Sequence, residues 1–199
     1  NNQGNNQVEV NPDIEGVGLT GLRRLSREEY DNTLVDLLGD TTRPGSSALP
    51  EDAIDPFDNN YETQRVSQAL VEALENVATG AARRAMEDAT RRDEIVGCTP
   101  ANSGDEVCFR SFVKSFGLRA LRHPLTDDDV ERYLPLLAFG VEDDNFYTAA
   151  GLVIQAMLQQ PKFVYHVERG IPVEGRPNVY RLNQFEVANK LAYFLWGSM

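Results

Sequence analysis

The chain has 199 residues, 41% hydrophobic and 25% charged, enough for one globular core of ordinary size or two small ones. This composition excludes collagen-like, wholly coiled-coil and fully disordered chains, and no apolar run approaches the roughly 18 residues of a membrane-spanning helix. With 31 acidic against 19 basic residues the net charge is −12, so duplex nucleic acid would be repelled by most of the surface and is not an expected partner.

Residues 1–18 are rich in Asn, Gln and Gly with almost no apolar periodicity, and they read as a flexible leader. Ordered structure is expected from Leu19. Ser26-Arg-Glu-Glu29 has the form of a capping box. It opens a helix with Tyr30, Leu34, Leu37 and Leu38 on one face and Gly39 at its end. The Pro-, Gly-, Ser- and Asp-rich stretch over 41–60 reads as a long acidic loop. A second helix is expected over 67–90, with Leu70, Leu74, Val77, Ala81 and Ala85 as its stripe and its many Ala allowing close packing. The first ordered unit is therefore a helical pair over 19–96.

The second unit, 97–199, begins with Cys98 and Cys108, the two cysteines, ten residues apart with Pro100 and Gly104 between them. The spacing fits a disulfide and an oxidising compartment; two buried free thiols are the alternative. A third helix is expected over 105–121, with Phe109, Phe112, Val113 and Phe116 inward. A fourth is capped at Thr126 and kinked by Pro135, and a fifth runs over 144–160 and ends before Pro161. Segments 163–167 and 179–182 alternate weakly around Gly170 and Gly175, which suggests one small hairpin. Asn183-Gln-Phe-Glu186 is another capping box, opening a sixth helix with Phe185, Leu191, Phe194, Leu195 and Trp196. That helix is among the most apolar segments, with no element after it to cover it. The chain is therefore expected to be one portion of a larger protein, or to carry an exposed helix that docks on a partner. The fold class is all-α, about six helices in an orthogonal or bundle-like array, with one small hairpin near 163–182.

Five strings carry a resemblance. They are Leu22-Arg-Arg-Leu-Ser-Arg-Glu-Glu-Tyr-Asp-Asn-Thr-Leu-Val-Asp-Leu-Leu-Gly39, Asp55-Pro-Phe-Asp-Asn59, Arg119-Ala-Leu-Arg-His-Pro-Leu-Thr126, Leu158-Gln-Gln-Pro-Lys-Phe-Val-Tyr-His-Val-Glu168 and Tyr180-Arg-Leu-Asn-Gln-Phe-Glu-Val-Ala-Asn-Lys-Leu-Ala-Tyr-Phe-Leu-Trp196. In this order they resemble a family of large exported proteins of planctomycetes and myxobacteria. That family is built from tandem domains of unknown function and is often linked to c-type cytochrome domains. The resemblance covers residues 19–199. It implies export to the periplasm or cell envelope, a helical N-terminal half and a longer C-terminal part bearing haem c. The haem-attachment pattern Cys-x-x-Cys-His does not occur in these 199 residues, so no cofactor is expected on them. The resemblance also supports a Cys98–Cys108 disulfide. Two positions depart from the family pattern: His123 stands in a string that usually reads Arg-Arg-Pro-Leu, and His166 where Arg is frequent.

Few residues point to chemistry. Asp55, Asp58 and Asn60 are hard oxygen ligands able to hold a Ca²⁺, although the spacing is not that of an EF-hand; the alternative is a solvated turn. Asp127, Asp128 and Asp129 sit at a helix start, where capping explains them. His166 is a candidate base or haem ligand, or else a packed residue. His123, before Pro124, suits a helix end. The arginines at 23, 24, 27, 83, 84, 91 and 92 are expected in internal ion pairs, with an anion-binding face as the alternative. No nucleophile elbow, phosphate loop, dinucleotide fingerprint or zinc pattern occurs. The expected function is a non-catalytic scaffold that docks a haem-bearing C-terminal half, or a partner subunit, on the apolar helix at 185–196. The alternatives are a share of a redox active site completed elsewhere and a Ca²⁺-dependent binding module.

Overall fold

Helix α1 starts where the sequence caps it. The Ser26 hydroxyl accepts from the Glu29 amide at 3.2 Å, and the Glu29 carboxylate accepts from the Ser26 amide at 2.8 Å. The helix runs Arg27–Leu38 and is closed by Gly39 at φ 62°, a left-handed position that glycine takes without strain. Tyr30, Leu34, Leu37 and Leu38 are all buried. Strand β1, Arg23–Arg24, precedes it. This computed structural model describes residue 18 and residues 21–52 and 60–199.

The stretch read as one long loop contains a short helix, α2, Pro44–Ala48. Its cap comes from elsewhere in the chain. Asp31 on α1, fully buried, accepts from the Gly45 and Ser46 amides at 2.6 and 2.9 Å and from the Ser46 hydroxyl at 2.5 Å. Such a cap leaves no local signature, so a Pro/Gly/Ser string reads as loop.

The helix expected over 67–90 is two helices. α3 runs Gln68–Glu87 from a Ser67 cap, and α4 runs Ala89–Val96 from an Asp88 cap. Asp88 leaves the helical region (φ −84°, ψ 109°) and its carboxylate accepts from the Arg91 amide at 3.1 Å. Cys98 and Cys108 are joined, with their Cα atoms 5.8 Å apart, which ties the end of α4 to the first turn of α5, Glu106–Ala120. Phe109, Phe112, Val113 and Phe116 of α5 are buried, as their spacing predicts.

Proline divides the next region more sharply than a kink. α6 is Asp127–Glu131, a 3₁₀ turn covers Leu134–Leu136, and α7 is Leu137–Glu142. Helix α8, Phe146–Leu158, follows, and Pro161 then begins α9, Pro161–Val164, as well as ending α8. Proline fits both roles because the first residue of a helix needs no N–H partner.

The expected hairpin is corrected in its pairing. Strand β2, Tyr165–His166, pairs antiparallel with β1, Arg23 opposite His166 and Arg24 opposite Tyr165. The hairpin is made instead by β3, Ile171–Pro172, and β4, Tyr180–Arg181. Strand periodicity is local and does not identify a partner 143 residues away. Helix α10, Gln184–Trp196, has the expected Asn183/Glu186 capping box and ends at Gly197, φ 62°.

The architecture is mostly helical with two small antiparallel pairs. α3 packs on α8, where Ala78, Ala81, Ala82, Ala85, Ala149 and Ala150 are buried and let the helices approach closely. Phe109 lies edge-to-face on Phe146, and Tyr30 on Phe163. Both halves of the chain contribute to one hydrophobic cluster. Among the described residues no helix is long and apolar enough to cross a membrane.

Replacing both Cys98 and Cys108 with Ser should lower stability by about 2–3 kcal/mol through the freed ten-residue loop, read as a fall in the urea midpoint; an unchanged midpoint would show that the bond constrains nothing. Phe112→Ala, at a site with no exposure, should cost about 3–5 kcal/mol in the same assay.

Candidate functional site

Pairing β1 with β2 sets Arg23 beside His166. One Arg23 amino group, Nη1, donates to both Glu29 oxygens at 2.8 and 2.9 Å, and the other lies 2.8 Å from His166 Nε2. A guanidinium only donates, so Nε2 accepts and the imidazole proton sits on Nδ1. The Asn189 amide lies 3.4 Å from Nδ1. Turned with its oxygen toward Nδ1–H, it pairs an Asn189 oxygen that is otherwise buried without a partner. The ring stands edge-on to Tyr193 at 4.5 Å between centroids. The Thr33 hydroxyl donates to the Glu29 carbonyl at 2.6 Å, so the Tyr193 hydroxyl, 2.7 Å away, donates to Thr33.

Burial and the cations Arg23, Arg122 and Lys190 push the His166 imidazole down to about 2. It is neutral at physiological pH, its lone pair is engaged by Arg23, and it serves as a hydrogen-bond acceptor rather than as a base or haem ligand.

Arg122 closes the cluster. It sits at φ 61° in the bend after α5, a costly conformation for a residue with a side chain. Its Nη2 group donates to the Lys162 carbonyl at 3.2 Å and also to that of Phe163. The guanidinium carbon lies 5.6 Å from the Phe163 ring centre and 5.4 Å from that of Tyr193. Burial pushes its ionisation downward, and Nη1 is buried with no partner. Arg122 and Asn189 border a cavity of about 340 Å³ between this bend, the segment after β2 and the start of α10. Sequence reasoning missed Arg122. The signal available was Arg-His-Pro directly after a helix, and no local pattern marks a left-handed arginine.

Most other candidates have structural employment. Asp129 forms a capping box with Thr126, which holds its carboxyl below the usual range, and Asp127 pairs with Lys114 at 2.8 Å. His123 Nδ1 lies 2.9 Å from the Pro124 carbonyl. Arg24 pairs with Asp52, Arg27 with Glu51, Arg83 with Glu87 and Arg84 with Asp40. Arg91 donates to the Gly39 carbonyl, and Arg92 lies over the Tyr147 ring. These arginines act within the chain. Of the Ca²⁺ candidates, Asp55 and Asp58 lie outside the described residues, and the Asn60 side chain accepts from the Glu62 amide at 3.1 Å in a turn. Among the described residues no group of three or more His, Cys, Asp or Glu is placed to hold a metal.

Helix α10 presents a second feature. Tyr193 is its buried side chain. Val187, Leu191, Phe194 and Leu195 recur at helical spacing on the opposite side and are exposed, Phe194 to 81%. Trp196 is 71% exposed.

Residues 23–87 match the family model PSD3, described as a protein of unknown function (DUF1587), and residues 108–168 match PSD5, described as a protein of unknown function (DUF1595). No curated protein and no solved structure matches the chain. Two successive segments of the chain are thus each similar to a domain family of unknown function. β1 lies within the first matched segment and β2 within the second, so the His166 cluster joins the two.

The His166 cluster has a pH signature. In the unfolded chain His166 takes up a proton near 6.5, and in the folded chain only near 2. Across that window the unfolded state binds more protons, so stability is full above pH 6.5 and falls as pH drops, by up to about 1.4 kcal/mol per pH unit. Urea midpoints at pH 7.5 and 5.5 should show this fall. His166→Gln, which can still accept from Arg23, should flatten it; equal slopes in the two proteins would refute a buried neutral His166.

Proposed function

We propose that this chain is a non-catalytic helical docking portion of an exported, haem-linked protein, with α10 as the docking element. The observation that carries this is the exposed stripe of Val187, Leu191, Phe194 and Leu195. Contiguous apolar surface of this kind marks an interaction site, and fully burying each such side chain contributes about 1.5–3 kcal/mol. The Asn183/Glu186 box and Gly197 fix both ends of the helix, so the stripe is held rigid and ready to bind.

The occupant we assign to it is a further domain of the same protein. Large multidomain proteins are what the sequence resemblance implies, and the matches to two successive domain families support it. The haem would belong to that further domain, because the chain's two cysteines are bonded to each other and Cys-x-x-Cys-His is absent from the sequence. The disulfide supports export, since such bonds persist in oxidising compartments. The polar groups around His166 support a positioning role, because they are engaged with one another.

The test has two arms. Phe194→Ser with Leu195→Ser should leave the melting temperature within about 2 °C of the parent, as surface changes do, and should abolish association with the rest of the protein in pull-down from the native host. A large loss of stability would place the stripe in a core instead. Intact mass and absorbance of the native-host protein should show a chain well above 22.2 kDa carrying haem. A 22.2 kDa species without haem would overturn the reading.

A further inference from the structure

The cavity beside Arg122 collects positive charge that the chain does not neutralise. We infer that it is an oxyanion-binding site, taking the carboxylate or phosphate group of a small molecule. This is independent of docking on α10.

Arg122 is the floor of the site. Its backbone is held at φ 61°, two carbonyls fix one amino group, and two aromatic rings flank the guanidinium. The charge is therefore placed in advance, with little left to order on binding. Glu29 acts on it through space but is already engaged bidentately by Arg23. A buried cation without its own counter-ion is costly, and a left-handed arginine adds backbone strain. Strain of this kind persists where the surroundings enforce it, and it concentrates at ligand sites.

The walls do not supply the missing anion. Glu168 is taken by Lys190 at 3.0 Å. The Glu186 carboxylate accepts from the backbone amides of Asn183, Arg169 and Gly170 at 2.8, 2.8 and 3.1 Å. Burial works upward on it, but these three donors outweigh that and hold its carboxyl below the usual range. Lys162 and Arg169 add two cations to the lining. Among the described residues neither belongs to an ion pair, and the acids acting on them, Asp129 and Glu186, are bound to Thr126 and to backbone amides. In a chain of net charge −12, this is a local reversal of sign, and a cavity concentrates its field. The volume of about 340 Å³ suits a small metabolite, and a lysine with an arginine suits its oxygens.

The experiment is a backbone-amide NMR titration with inorganic phosphate and, separately, sodium acetate, at constant ionic strength set with chloride. The intact chain should show saturable shifts at Val167 and Gly170. Lys162→Gln with Arg169→Gln, partly or fully exposed positions that leave the core intact, should weaken binding at least tenfold. Arg83→Gln, on an exposed pair of α3, should leave it unchanged. Saturation by phosphate alone identifies a phosphate site, by acetate alone a carboxylate site, and by both a general oxyanion site. Shifts that never saturate, a double variant that binds like the parent, or an equal loss in Arg83→Gln would overturn the inference.

Discussion

The pairing of Arg23–Arg24 with Tyr165–His166 is the constraint on which the rest of the structure depends. It is only two residues long on each side, and a two-residue ladder has little stability of its own. Its weight comes from what it places. β1 leads into α1 and β2 follows α9, so closing the pair sets α1 against Phe163 and delivers His166 to Arg23. Tyr193 then reaches Thr33 across the same seam. One short ladder thus joins the two matched segments and anchors α10.

That seam is built from polar groups, and their arrangement is set by donor and acceptor counting. Arg23 can only donate, which makes His166 an acceptor. His166 must then donate to Asn189, and Thr33 must accept from Tyr193 because its own proton is on Glu29. A buried network of this kind stabilises one arrangement because each misplaced partner strands another. Arg122 stands apart in this counting: its carbonyl partners orient it but leave its charge uncompensated.

The surface divides into two kinds of unsatisfied capacity. α10 carries apolar area that water covers poorly, and the Arg122 cavity carries charge that neighbouring acids do not balance. The first is a wide, directionless attraction suited to another protein surface. The second is a confined and directional attraction suited to a small anion.

Much of this was legible in the sequence. The capping boxes at Ser26 and Asn183, the glycine stop at 39, the inward Phe stripe of α5 and the helical class all follow from neighbours three or four residues apart. The apolar character of α10 was legible too, whereas the exposure of Val187, Leu191, Phe194 and Leu195 is seen only in the structure. Contacts between distant residues were not legible. The cap of α2 is Asp31 and the partner of Tyr165–His166 is β1; the break at Asp88 is a local cap on Arg91, masked by the apolar stripe that runs on through 67–90. His166 was open to a chemical reading until its surroundings showed a lone pair held by Arg23, and Arg122 had no pattern at all until its backbone was seen in the left-handed region. Local chemistry determines which segments become helices and where they stop. Only the tertiary structure decides which charges remain without a partner, because that depends on groups brought together from far apart in the chain.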